Sequence, residues 1–143
     1  MTESTETKEI DEAQKQIARD VFAKVPFLKL IGMELVDLKP GEAIIRLKMR
    51  DELRQPHGLL HGGATASVID TAMAFAVVTR LAENETASTV DLTVHYLRPV
   101  TEGAIVCTAK VVRAGKRLLT VSAEVFNDEE KLIATALSTY TKV

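Results

Sequence analysis

The sequence predicts an α+β domain in which about six antiparallel strands wrap a long central helix, with a further helix ahead of them. Three observations carry this. The stretch from Gly63 to about Ala82 is apolar on nearly every side, so a helix there has to be covered all round. Six other segments have the composition or alternation of strands. The last four of these are separated by short turn signals, and links that short join antiparallel neighbours. A sheet curling around one helix satisfies all three.

Each element has its own signal. Residues 1–9 are polar and acidic and are expected to form a disordered tail ahead of a single domain, 10–143. Ile10, Ala13, Ile17, Ala18, Val21 and Phe22 recur at helical spacing, which predicts an amphipathic helix to about Lys24, followed by Pro26. Phe27, Leu28, Leu30 and Ile31 read as an apolar connection over the core. Met33–Leu38 and Ala43–Met49 form a predicted hairpin around the turn Lys39-Pro40-Gly41-Glu42. In its second strand Ile45, Leu47 and Met49 alternate with Arg46 and Lys48. Residues 50–60, with Pro56 and Gly58, read as a loop. Beyond the central helix, Asn84 and Glu85 break the pattern. Strands are predicted over Ser88–Leu97, Ala104–Arg113, Arg117–Phe126 and Lys131–Lys142, with turns at Arg98-Pro99, Ala114-Gly115 and Asn127-Asp128.

Composition narrows the function classes. The 143 residues carry 18 basic and 20 acidic side chains, a net charge of −2, which offers no general attraction to nucleic acid or an anionic membrane. The single cysteine, Cys107, allows neither an intrachain disulfide nor an all-cysteine zinc site, and fits a cytoplasmic location; its strand pattern makes it a small core residue. No basic and apolar leader opens the chain, so no secretory signal is expected. Gly62–Thr79 is almost long enough to span a bilayer, but it is rich in Ala, Thr and Ser and holds Asp70 near its centre, which argues for a helix inside a globular domain. His57 and His61 have a spacing that could hold a metal on a helix, yet Pro56 and Gly58 oppose helix there and no third ligand is near, so neither metal nor cofactor is expected.

The chemistry concentrates between Gln55 and Asp70. Gly62 and Gly63 open the central helix, where unpaired N–H groups and a partial positive charge let an oxyanion approach the bare backbone. Asp70 is the one charge between His61 and Arg80. A carboxylate on an apolar helix is costly unless it is paired or used. Gln55 and His61 lie just upstream, within reach of the same pocket.

This stretch, His-Gly-Gly with an acid nine positions beyond the His, resembles the signature of hotdog-fold acyl-CoA thioesterases, most of all the phenylacetate-degradation (PaaI-type) branch. The similarity runs from Phe27 to Val143 and includes Val90-Asp91-Leu92, Tyr96-Leu-Arg-Pro99, the Gly115-Lys-Arg turn and the Ala134-Thr-Ala run. The resemblance implies a hotdog fold and acyl-CoA or aryl-CoA hydrolysis without a cofactor. It implies Asp70 as general base or nucleophile, the Gly62 N–H as oxyanion donor, Gln55 as a group orienting the thioester or water, and His61 as a carbonyl-contacting or supporting residue. Thr89, with Ser88 as its substitute one position away, matches a hydroxyl that holds the attacking water. Two departures stand out. Related aryl-CoA thioesterases of menaquinone and enterobactin metabolism carry Glu where this chain has Asp70, and some relatives carry Ser or Thr in place of Ala74. Separately, Arg98, Arg113, Lys116 and Arg117 lie at turns and are candidates, with Gly63 and Ser88, for binding the coenzyme A part of the substrate.

Gly62 and Asp70 are eight residues apart, about 12 Å along one helix. A reacting carbon must lie within about 3–3.5 Å of its attacker while its oxygen meets the oxyanion donor. One helix cannot bring both to one carbonyl, which predicts a homodimer with two shared sites; a dimer of dimers follows from the resemblance. The competing readings are a non-catalytic acyl-CoA-binding module and a dehydratase or hydratase using a His–acid pair.

Overall fold

The computed structural model describes residues 9–143. Two short helices, α1 (Glu12–Lys24) and α2 (Pro26–Ile31), precede the hairpin β1 (Met33–Lys39) and β2 (Glu42–Lys48). A single 3₁₀ turn, Asp51–Leu53, interrupts the loop before the central helix α3 (Gly62–Val78). Four strands follow: β3 (Ala87–Tyr96), β4 (Ala104–Ala114), β5 (Leu118–Asn127) and β6 (Leu132–Lys142). All six strands join one antiparallel sheet in the order β1-β2-β4-β5-β6-β3. This is the hotdog arrangement. The tail expected over residues 1–9 lies, apart from Glu9, outside the described residues.

The core forms between α3 and the concave face of the sheet. Val68, Ile69, Ala72, Met73, Ala76 and Val77 of α3 meet Ile45, Leu47, Ile105, Cys107, Leu119 and Val121, all fully buried or nearly so. Cys107 is the small core residue its strand pattern suggests, and burial pushes its thiol up to about 12. On the far side of α3, Phe22 of α1 packs edge-on against Phe75, ring centroids 5.3 Å apart. Lys15 of α1 also reaches Asp37 of β1 at 3.0 Å. No helix among the described residues is long and apolar enough to cross a membrane.

Four expectations need correcting. The apolar connection at Phe27–Ile31 is the helix α2: Pro26 occupies its first turn and Gly32, at φ +89°, closes it in the left-handed region, while six residues are too few to show a period. Helix α1 starts at Glu12 rather than Ile10, because Asp11 and Gln14 form a capping box. Helix α3 ends at Val78, not Ala82: the Thr79 hydroxyl donates back to the Ala76 carbonyl and accepts the Gly41 N–H, both at 2.7 Å, and the chain turns away. Finally, α3 is not covered all round. Its stripe through Gly63, Ser67, Asp70, Ala74 and Val78 is only half-buried or exposed in the single chain.

Candidate active site

The site is built on the start and the middle of α3 and on β3, which runs alongside it. At the helix start, His61 is the N-cap, its Nδ1 accepting the Gly63 N–H at 2.8 Å. The Gly63 amide is therefore engaged. The Gly62 N–H, first in the helix, has no intrahelical acceptor, and no group among the described residues accepts from it. Tyr96, at the end of β3, donates its hydroxyl to the Gly62 carbonyl at 2.7 Å. Its ring stands where a Gly62 side chain would begin, 3.3 Å from an ideal Cβ. Gly62 is thus held by its carbonyl with its N–H turned free.

Two helical turns on, Asp70 meets the other end of β3. The Thr89 hydroxyl donates to Asp70 Oδ1 at 3.2 Å. Tyr140 of β6 places its hydroxyl 3.2 Å from the same oxygen and 3.2 Å from the Asp70 carbonyl. Thr89 and Tyr140 face each other in the β3–β6 register. Just beyond them the register slips between Thr89 and Asp91, a bulge at Val90 that turns Thr89 toward the helix. Burial first, and the Asp70 charge further down, push the Tyr140 phenol above its ordinary value, while a hydrogen bond with Thr89 works the other way. Oδ1 is saturated by these hydroxyls, and Oδ2 has no hydrogen-bond partner among the described residues.

The other predicted residues divide clearly. Thr89, not Ser88, reaches Asp70; Ser88 is the adjacent residue of the strand and so faces the other side of the sheet. Gln55 turns its carbonyl oxygen to the His57 N–H and makes no hydrogen bond to Gly62 or Asp70. The loop holding His57 is not helical, so His57 and His61 do not share a helix face, and no metal-binding cluster occurs among the described residues. Arg113, Lys116 and Arg117 gather exposed at the β4–β5 turn. Arg98 does not join them. The β4–β5 turn lies level with Thr141 of β6, whereas β3 ends level with Ala134, so Arg98 sits at the opposite end of the sheet, about 24 Å away by strand rise. Its guanidinium holds the Leu132 carbonyl at 2.9 Å. Motif spacing points to neither Tyr96 nor Tyr140. Both lie outside the Gln55–Asp70 stretch, and only the packing of β3 and β6 against α3 shows what they touch.

A central helix cradled by an antiparallel sheet, with a free amide at its start and a hydroxyl-bound carboxylate two turns on, defines a hotdog domain equipped for acyl chemistry. Residues 57–134 match the family model of the thioesterase superfamily, and this chain belongs to that family of thioester hydrolases. The medium/long-chain acyl-CoA thioesterase YigI of Escherichia coli is 30% identical over 91% of this chain and 94% of its own length. Among solved structures, the conserved protein PA5202 of Pseudomonas aeruginosa superposes with a TM-score of 0.80 at 34% identity, covering 83% of this chain and 94% of that one. The PaaI protein of the E. coli phenylacetic acid degradation operon superposes at 0.82 and 23% identity over 90% and 91%, which shows the shared fold.

Proposed function

We propose that this chain hydrolyses acyl-CoA thioesters at two equivalent sites, each shared between two copies of the chain. The observation that carries the reading is the Asp70 carboxylate, bound by hydroxyls through Oδ1 alone and set on the uncovered stripe of α3. In the proposed reaction Oδ2 takes a proton from water, and the resulting hydroxide attacks the thioester carbon. The oxyanion so formed is met by the Gly62 N–H of the second copy. Collapse breaks the C–S bond, leaving a carboxylic acid and the coenzyme A thiolate, which takes up the proton.

The second copy is needed because Gly62 and Asp70 stand about 12 Å apart on one helix. β3 supplies the way to bring them together. Its ten residues pair with β6 on one side only, and Val90, Tyr96 and Leu97 are all more than half exposed. A long open edge of this kind is a template for pairing with another strand. If β3 pairs antiparallel with its copy about its own middle, the level of Tyr96 on one strand falls beside Ala87 and Ser88 on the other. Gly62 stands at Tyr96 and Asp70 at Thr89, so each Gly62 comes to the partner's carboxylate. The same pairing carries Arg98 of one copy to the end that holds Arg113, Lys116 and Arg117 of the other, where the coenzyme A phosphates would lie. A cleft of about 440 Å³ next to Tyr140, whose wall includes Ala74, Val77, Val78 and Leu81 together with Glu83 and Glu85, takes the acyl group.

The test is thiol release from a panel of phenylacetyl-, hydroxybenzoyl-, short-chain and medium-chain acyl-CoAs, by the purified chain and by Asp70→Asn. Asn keeps an oxygen for Thr89 and Tyr140 but not the base, so turnover drops by roughly 10²–10⁴-fold while the fold is kept. Hydrolysis by the variant at the wild-type rate sinks the assignment. Single turnover in ¹⁸O-water separates base from nucleophile, because only an anhydride on Asp70 leaves label in its carboxylate. Sedimentation of the same preparation distinguishes a dimer from the dimer of dimers.

A further inference from the structure

Tyr140 is the group at Asp70 that motif spacing does not account for. It lies on the inward face of the last strand, at the end of a row of small residues, Ala134, Ala136 and Ser138, and it is only 3% exposed. Its hydroxyl is equidistant from the Asp70 side chain and main chain, at 3.2 Å from each. A phenol that merely needed an acceptor for its buried hydroxyl would be satisfied by the main-chain oxygen. The equal approach to Oδ1 ties it to the carboxylate as well, where a hydrogen bond to charge is stronger than one to a neutral carbonyl.

The placement is also locked from the side. At the bulge next to Thr89, the Asp91 carboxylate accepts the Thr139 N–H at 2.9 Å and the Asp91 carbonyl accepts the Ser138 hydroxyl at 2.6 Å. These bonds hold the β3–β6 register so that Thr89 and Tyr140 stay opposite each other. The Thr89 hydroxyl and the Tyr140 hydroxyl, the latter shared with the Asp70 carbonyl, thus converge on one carboxylate oxygen.

We propose that Tyr140 is a positioning residue for the Asp70 carboxylate: together with Thr89 it holds Oδ1, so that Oδ2 is the oxygen presented to the reacting water. The inference rests on the thioesterase reading above and adds a residue to it. Few titratable or charged groups surround the carboxylate. From β6 there is Tyr140. From the segment after α3 there are Glu83 and Glu85, which line the adjoining cleft, Glu85 being paired with Lys142 at 2.9 Å. From β3 there is Asp91, whose carboxylate is turned to the Thr139 N–H.

The experiment measures kcat, KM and the melting temperature of Tyr140→Phe, alone and in the Asp70→Asn background, on the best wild-type substrate. Phe fills the same core volume without the hydroxyl. In the otherwise native chain kcat falls on the order of tenfold, the scale of a hydrogen bond to a charged group. KM stays within about twofold, since only the transition state uses the aligned oxygen. In the Asp70→Asn background the same change costs no further activity. A wild-type kcat in Tyr140→Phe, or an equal loss with and without the Asp70 charge, overturns the role of Tyr140 and leaves the thioesterase reading standing. Full activity in Asp70→Asn overturns both. If the Phe variant does not fold, 3,5-difluorotyrosine at position 140 keeps the ring and gives a more acidic, stronger donor. kcat then changes while KM stays within about twofold, and a kcat equal to that of the unmodified chain overturns the proposal.

Discussion

The proposed sharing of the site can be tested by breaking it in two different places on two different chains. One chain carries Asp70→Asn; the other carries Gly62→Pro. Proline removes the one N–H in question and nothing else of the backbone. The position tolerates it. Gly62 is the first helical residue, where an amide has no intrahelical acceptor and proline is favoured. His61 before it already has φ −61° and ψ 130°, the extended setting that a residue preceding proline requires. The new Cβ meets the far end of Tyr96 at 3.3 Å, on a side chain more than half exposed. The variant therefore folds, with a stability change of about 1 kcal/mol from the disturbed Tyr96 hydrogen bond. Its kcat falls about 10²–10³-fold, as for loss of an oxyanion donor. Asp70→Asn alone loses a comparable or larger factor. When the two are mixed, unfolded and refolded together in equal amounts, about half the dimers are heterodimers, and each holds one site with both groups intact and one with neither. Thiol release should recover to about one quarter of wild type, far above either parent, provided that each site draws on two copies. A mixture no faster than the mean of its parents, with mixed dimers demonstrated by differential tagging, would show that a single chain supplies the whole site and would refute the geometry.

Three further outcomes rest on the same contacts. His61→Ala removes the cap on Gly63 and costs about 1 kcal/mol, while His61→Asn restores the cap and the melting temperature; retention of most activity by the Asn variant would assign His61 a capping role, and its loss a substrate contact. Lys15→Met probes the α1–β1 contact through pH. A hydrogen bond from Lys15, followed by one from the Leu38 N–H, holds the Asp37 carboxyl below its ordinary range. Its stabilising contribution is thus complete above the unfolded value of 3.8 and is lost as pH falls through the lower folded value. The variant should be less stable at neutral pH by under about 1 kcal/mol, as for a surface-accessible pair, with the gap closing toward acid in urea titrations. Lys116→Ala with Arg117→Ala should raise KM for acyl-CoA and weaken its salt dependence; an unchanged KM retires the phosphate role of that turn.

The features legible in the sequence are those that near neighbours along the chain decide. The glycine pair, the lone acid on an apolar stretch and the spacing between them are all local, and they are what the proposed roles of Gly62 and Asp70 and the proposed second chain rest on. The strands are legible because their turns are short. Features that depend on pairing across the sheet are not. Thr89 and Ser88 stand one residue apart in sequence, and only the bulge at Val90 and the register with Tyr140 decide which hydroxyl turns inward. Tyr140 itself reads in sequence as one more inward residue of a strand. Arg98 and Arg117 both lie at strand ends, yet the sheet order places them at opposite ends of one chain. Helix α2 is too short to show a period, and the end of α3 is set by a hydroxyl that caps it from outside the hydrophobic pattern.

The sheet order also explains why the site sits where it does. β2 pairs with β4, not β3, so the strand that comes after α3 is sent to the far edge and pairs on one side only. That edge strand touches both the start and the middle of the helix, Tyr96 at Gly62 and Thr89 at Asp70. A strand inside the sheet could hold the same two side chains, but its edge would be occupied and no second helix could be drawn alongside. A strand detached from α3 could still pair with a copy, but without carrying the two halves of the site into register. In the proposed dimer the open edge and the divided site are therefore one requirement. Substitutions that introduce charge at the exposed face of β3 should lower activity in step with dimer content, even though they lie outside the chemistry.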